Sequence, residues 1–167
     1  MGRTSAFVTI AFLAGLGIGL FARNGAVAAA RQADTRAADL AAIEKLHRAD
    51  EEATLSQDPA ALTNVWSEDG INLGFPGQPV VGTKAMREAY EKFKAAYPDF
   101  QVLKYAPDYK NMQTAIVDEW AIEVSYTDAT FKMSANAAPV TAPRVKGMRL
   151  LKRQSDGSWK FALVGMK

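Results

Sequence analysis

The sequence has no cysteine and a single histidine, His47. The first absence removes disulfides, thiolate metal sites, a cysteine nucleophile and a lipid-modified cysteine together. One histidine without cysteine leaves a protein zinc site short of its usual ligands, so no metal and no cofactor are expected. No GxGxxG fingerprint or P-loop occurs, which excludes nucleotide sites of those kinds. No GxSxG elbow marks a serine nucleophile. Acidic residues are missing from the first thirty positions, where Arg3 and Arg23 are the only charges. Beyond them the chain has 18 basic and 18 acidic side chains, a net charge of zero, and lacks the footprint of a nucleic-acid binder.

What is present begins with an export signal. Arg3 supplies a positive start, Ala6–Ala22 is an uncharged and mostly apolar run, and Arg23-Asn24-Gly25 breaks it. Ala28-Ala29-Ala30 has the small side chains a signal peptidase accepts, so residues 1–30 read as a signal peptide cleaved before Arg31. The alternative is an uncleaved membrane anchor over residues 6–22, whose length is near the lower limit for a span. Either way the folded part is expected to be exported, periplasmic or secreted. Residues 31–39 are polar and read as a linker, and residues 40–167 as one domain.

The domain is organised around Ile43–Tyr97. A helix to Gln57 has the inward stripe Leu40, Ile43, His47, Asp50 and Thr54, widened by Leu46 and Ala53. Asp58-Pro59 starts a second helix, because Asp caps free amides and Pro at the first position lacks only an orphaned N–H. Glu68-Asp69-Gly70 is read as its end. Ile71–Leu73 and Val80–Val81 are short strands joined by a Pro/Gly-rich turn, and Thr83 is read as the N-cap of a helix reaching Tyr97. After Pro98 the period turns strand-like. Met112–Thr127 is read as one long strand with its even positions buried, which makes Asp118 the only acid on the inner face. Residues 128–143 are read as a long hairpin connection with room for a short strand at Thr130–Met133, and Val145–Arg153 and Trp159–Met166 as a hairpin around Asp156-Gly157.

The candidate catalytic residues are the polar groups expected to point inward. His47 titrates in the range a general base needs, although a histidine at a core edge also serves as a plain hydrogen-bonding group. Asp50 lies one turn along the same face, and desolvation can make a buried carboxylate a base or leave it a structural partner. Asp118, between Ile116 and Trp120 on its face, needs a partner or an open cavity, unless the strand bulges or starts later and leaves it near solvent. Trp66, Phe93, Trp120, Tyr126 and Met148 are candidates to line an apolar ligand cavity, or else are simply core. Lys146, Arg149, Lys152 and Arg153 read mainly as a solvated face.

From about Ala38 to its end the chain resembles the SnoaL-like group of the ketosteroid isomerase and nuclear transport factor two superfamily. The matching residues are Gln57-Asp58-Pro59, Leu62, Trp66-Ser67-Glu68-Asp69-Gly70, Pro76–Met86 and Leu150–Lys160. The resemblance implies an α+β fold, a cone of curved, mostly antiparallel sheet wrapped around the N-terminal helices. It also implies a small apolar ligand at the open end and homodimers through the outer sheet face. The base of the isomerases falls at Gly74, their tyrosine at Asp50 and their second acid near Lys146, so steroid isomerisation by that mechanism is not implied. The resulting expectation is an exported domain binding a small apolar or aromatic molecule. The alternatives are an acid–base enzyme acting on a carbonyl compound through Asp50, Asp118 and His47, and a non-catalytic interaction module whose outer face shows Val117 and Ala121.

Overall fold

Asp58 and Pro59 act as their chemistry dictates. In the computed structural model, which describes residues 35–74 and 78–166, Asp58 Oδ2 accepts the Ala61 N–H at 2.9 Å and Pro59 opens a helix. The chain divides into two compact units, Met1–Leu40 and Ala41–Lys167. Of the first, residues 35–40 are described and are helical where a linker was expected, while the expected signal peptide lies outside the described residues. No helix among the described residues is long and apolar enough to cross a membrane.

The second unit opens with helix α1 (41–56), followed by α2 (Pro59–Asn64), β1 (Trp66–Asn72), β2 (Val80–Val81) and α3 (Thr83–Ala96). The strands β3 (Gln101–Pro107), β4 (Gln113–Val117), β5 (Trp120–Lys132), β6 (Val140–Arg153) and β7 (Trp159–Met166) complete it. The sheet order is β2-β1-β7-β6-β5-β3, with β4 also paired to β5. Only β1–β7 is parallel, and the sheet is curved and unclosed. Ile43 and Leu46 of α1, Met86 of α3, and Trp66, Ala121, Leu151, Trp159 and Phe161 of the sheet form one core. Full burial of side chains such as Met86 and Phe161 contributes roughly 1.5–3 kcal/mol each.

Four boundaries differ from the expected ones. Glu68-Asp69-Gly70 does not end a helix; it lies within β1, which starts at Trp66 beside Phe161. Gly82, not Thr83, is the N-cap of α3, with φ +84 and its N–H donated to the Gly70 carbonyl at 2.8 Å. Residues 128–143 are mostly strand, since β5 runs to Lys132 and pairs Thr130 with Thr141 and Phe131 with Val140.

The fourth difference changes the interior. Met112–Thr127 is not one strand, because Asp118 adopts a left-handed φ of 54° and folds the chain back so that Val117 pairs with Trp120. Facing residues in this hairpin are Ile116 with Ala121 and Thr114 with Glu123, so even numbers point inward on β4 and odd numbers on β5. The buried set of β5 is therefore Ala121, Glu123, Ser125 and Thr127. Asp118 is exposed in the turn, and Ala121, expected on the outer face, is in the core.

Gly70 is the tightest glycine among the described residues. A Cβ there would meet Trp66 Cε3 at 3.0 Å and the Phe161 and Ser67 carbonyl oxygens at 3.1 Å. Two of those atoms are backbone and cannot rotate away. Gly70→Ala is expected to destabilise the fold by about 1–3 kcal/mol, read as a lower urea midpoint. An unchanged midpoint would show that β1 and β7 separate easily at this contact.

Candidate functional site

The inner face of the sheet presents a polar row across three strands. Thr114 of β4, Glu123 of β5 and Arg149 of β6 are successive register partners, so their side chains stand side by side. The inward stripe of α1 brings His47 and Asp50 onto this row. His47 Nε2 lies 2.9 Å from Glu123 Oε2, and Thr114 Oγ1 donates to Glu123 Oε1 at 3.3 Å. Arg149 Nη2 donates to the Tyr105 hydroxyl at 2.7 Å and lies 3.4 Å from Asp50 Oδ2. The Tyr105 hydroxyl in turn donates to Asp50 Oδ2 at 2.9 Å. Tyr109 stacks on the His47 ring at 4.8 Å, and its hydroxyl donates to the His47 carbonyl.

Burial governs the electrostatics. It pushes the Asp50 carboxyl above its ordinary range, against the opposing pull of Arg149 and the Tyr105 hydrogen bond. Burial, followed by the charge of Asp50, raises Tyr105, and burial pushes Tyr109 up to about 12. For Arg149 burial works against the charge, but the surrounding hydroxyls and carboxylates outweigh it and hold the guanidinium protonated. The guanidinium also lies 5.2 Å over the Phe161 ring.

Arg149 Nη1 is buried and has no hydrogen-bond partner among the described residues, although the Tyr109 hydroxyl lies near the guanidinium. Asp50 bonds through Oδ2 and His47 through Nε2, so Asp50 Oδ1 and His47 Nδ1 make no hydrogen bond among the described residues. The cluster thus combines one donor with two proton acceptors that the described residues leave unused. No group of three or more metal-ligating side chains occurs among the described residues.

The structure brings His47 and Asp50 together and keeps Asp118 away from them, in an exposed turn. Trp66 is core, edge-on to Phe161. Phe93 is half-buried and helps line a cavity of about 180 Å³ with Leu62, Tyr90, Tyr97 and Phe100. From that cavity wall, the Tyr90 hydroxyl reaches inward and accepts from Asn72 Nδ2 at 3.2 Å. Trp120, Tyr126 and Met148 are not in the interior. Trp120 lies under Lys152, Tyr126 lies under Arg144, and Met148 is 52% exposed on the outer face. Glu123, Arg149, Tyr105, Tyr109 and Thr114 were missed by the sequence reading. The polar pair Asp118-Glu119 between two apolar-alternating runs was the signal that would have found the first two, because a turn there reverses the inner parity.

No protein-family model matches the chain, and no curated protein matches it. Solved structures do match. A ketosteroid isomerase-like protein from Erwinia carotovora atroseptica SCRI1043 superposes at a TM-score of 0.62 with 24% identity, over 75% of this chain and 92% of that one. A candidate scytalone dehydratase from Novosphingobium aromaticivorans DSM 12444 gives 0.66 at 17% identity, over 80% and 86%. ActVI-ORFA from Streptomyces coelicolor gives 0.62 at 15% identity, over 77% and 95%. The chain therefore has the α+β cone fold of the ketosteroid isomerase-like proteins, as its SnoaL-like resemblance implied.

A carboxyl raised by folding binds its proton more tightly in the folded chain. Its contribution to stability is full below the ordinary value of 3.8 and is lost as pH rises through the folded value. The stability of Asp50→Asn relative to the wild type is therefore expected to grow as pH rises from below 3.8 towards neutrality. Urea titrations across that range measure it, and a pH-independent difference would place Asp50 in water.

Proposed function

We propose that the protein binds a small molecule with an apolar or aromatic body and one acceptor oxygen inside its cone, and transfers a proton on it. The observation behind this is Arg149 Nη1, a buried donor without a partner among the described residues, in the same cluster as Asp50 and His47. An unmade hydrogen bond inside a protein costs free energy, and a ligand oxygen would supply it. A carbonyl oxygen on Arg149 would place its neighbouring carbon near the Asp50 and His47 acceptor atoms. Asp50 then takes the α-proton, the C–H electron pair forms a carbon–carbon double bond, the carbonyl π pair moves to the oxygen, and the guanidinium stabilises the charge that develops there. Burial favours this, because an Asp50 raised from its ordinary range is a stronger base. His47, held by Glu123, assists as the second proton carrier.

Binding without turnover is the second reading, favoured by the two contacts that already engage Asp50 Oδ2. Under the same proposal residues 1–30 are a cleaved export signal and the exported chain is half of a homodimer. Its support is the outward apolar row Ile122, Leu150 and Leu163, with Met148 beside it.

Native mass spectrometry of the protein recovered from a periplasm is expected to show a bound small molecule that Arg149→Met loses. Retention of the same mass by Arg149→Met, or no bound mass in either, would overturn the site. In deuterated solvent the bound carbonyl compound is expected to exchange its α-proton, and Asp50→Asn to slow this about 10²-fold or more. Binding without exchange would leave the second reading. Met148→Glu is expected to convert a dimer to a monomer in sedimentation experiments; an unchanged mass would remove the outer face as the interface.

A further inference from the structure

The flank of α1 that turns away from the polar row borders a second cavity. Ala42, Lys45, Leu46 and Ala49 lie at i, i+3, i+4 and i+7, so they form one stripe along the helix. Opposite them stands the β6–β7 hairpin with Asp156 to Lys160, and Val65 and Trp159 form an apolar floor. The space is about 560 Å³, within the range of small-molecule sites. It exists because the stripe has alanine on either side of Lys45, where longer side chains would fill it. None of the residues of the polar cluster lines it, and Leu46 and Trp159, which do, are 5% and 2% exposed.

Its lining carries two lysines against one carboxylate, a net positive charge. Lys45 makes no ion pair within 4 Å among the described residues, and Lys160 donates to the Asn64 carbonyl from the other wall with further ammonium protons to spare. The one carboxylate, Asp156, is turned onto its own loop, accepting the Ser158 N–H at 2.9 Å and the Ser158 hydroxyl at 2.7 Å. Two ammonium groups thus border a space floored by apolar side chains. That arrangement suits neither a neutral hydrocarbon nor a bare inorganic anion, since the first leaves the lysines unused and the second leaves the floor wet.

We infer that this groove is a second binding site, separate from the cone, for an amphipathic carboxylate whose aromatic or aliphatic body lies on Val65 and Trp159 while its head bridges Lys45 and Lys160.

The test is a fluorescence titration of the whole exported chain with pyrene-1-butyrate, using pyrene-1-butanol as the uncharged counterpart. Saturable binding of one butyrate per chain is expected, with the alcohol at least about tenfold weaker. Lys45→Glu and Lys160→Glu should each weaken the butyrate about tenfold, and Ala49→Trp should abolish binding by filling the groove. All three positions are at the surface or half-exposed, and unchanged circular dichroism would show that the fold is intact. Arg149→Met should leave this binding unaltered, which separates the groove from the cone. Absence of saturable binding, equal affinity for the alcohol, or full affinity in Ala49→Trp would each overturn the inference. Loss of binding in Arg149→Met with retention in Lys45→Glu would place the probe in the cone and overturn it as well.

Discussion

Glu123 has no solvent-exposed surface, and the need to compensate that one carboxylate shapes the interior. It stands on the middle strand of a meander, where neither water nor a flexible loop can reach it. Thr114 and Arg149 flank it by register, and His47 comes down onto it from α1. Removing one partner of such a buried pair costs roughly 3–5 kcal/mol, because the charge left behind keeps its desolvation penalty. The exposed pairs Arg48–Glu44 and Arg87–Glu91, each on a single helix turn, contribute about 0.3–0.5 kcal/mol at most. The interior cluster, not the surface pairs, therefore constrains where α1 can sit on the sheet.

The same cluster is expensive for a fold of this size. A core of leucine and phenylalanine at these positions would be as stable or more so, because well-packed apolar groups need no compensation. Instead two hydrogen bonds run from Arg149 through Tyr105 to Asp50, and an ion pair joins Asp50 to Arg149, beside the His47–Glu123 pair. Perturbed ionisable groups concentrate where proteins handle ligands and protons, and here they lie on the concave side of the sheet. The apolar core occupies the remainder, through Ile43, Met86, Leu151 and Phe161.

Much of this was legible in the sequence. The helical stripe placed His47 and Asp50 inward, the Asp58-Pro59 cap was literal, and the Trp66 to Met86 stretch pointed to the cone. What stayed hidden depended on one backbone angle. Aspartate tolerates the left-handed region but does not announce it, so Asp118 read as a strand residue and every position after it was assigned to the wrong face. Arg149 and Glu123 were then read as surface, and Tyr126 and Met148 as interior. The interior of β5 and β6 is also unusually polar, so a hydrophobicity rule selects the outer face there. Tyr105 and Tyr109 had no sequence signal of their own, because their partners are dozens of residues away.

The hairpin at Asp118 has a consequence for how such chains diverge. The faces of β4 and β5 are held by pairing along their lengths, and β5 is held again by β6. The turn joins them, and Arg153 donates to both of its carbonyls. An extra residue at such a loop tip can still be absorbed locally. Each such change shifts the count between Thr114 and Glu123 without moving either side chain. Spacing along the chain is consequently a poor record of ancestry across this turn. The durable signature is instead a pairing: a hydroxyl, an acid and a base in line across three strands, whatever numbers they bear.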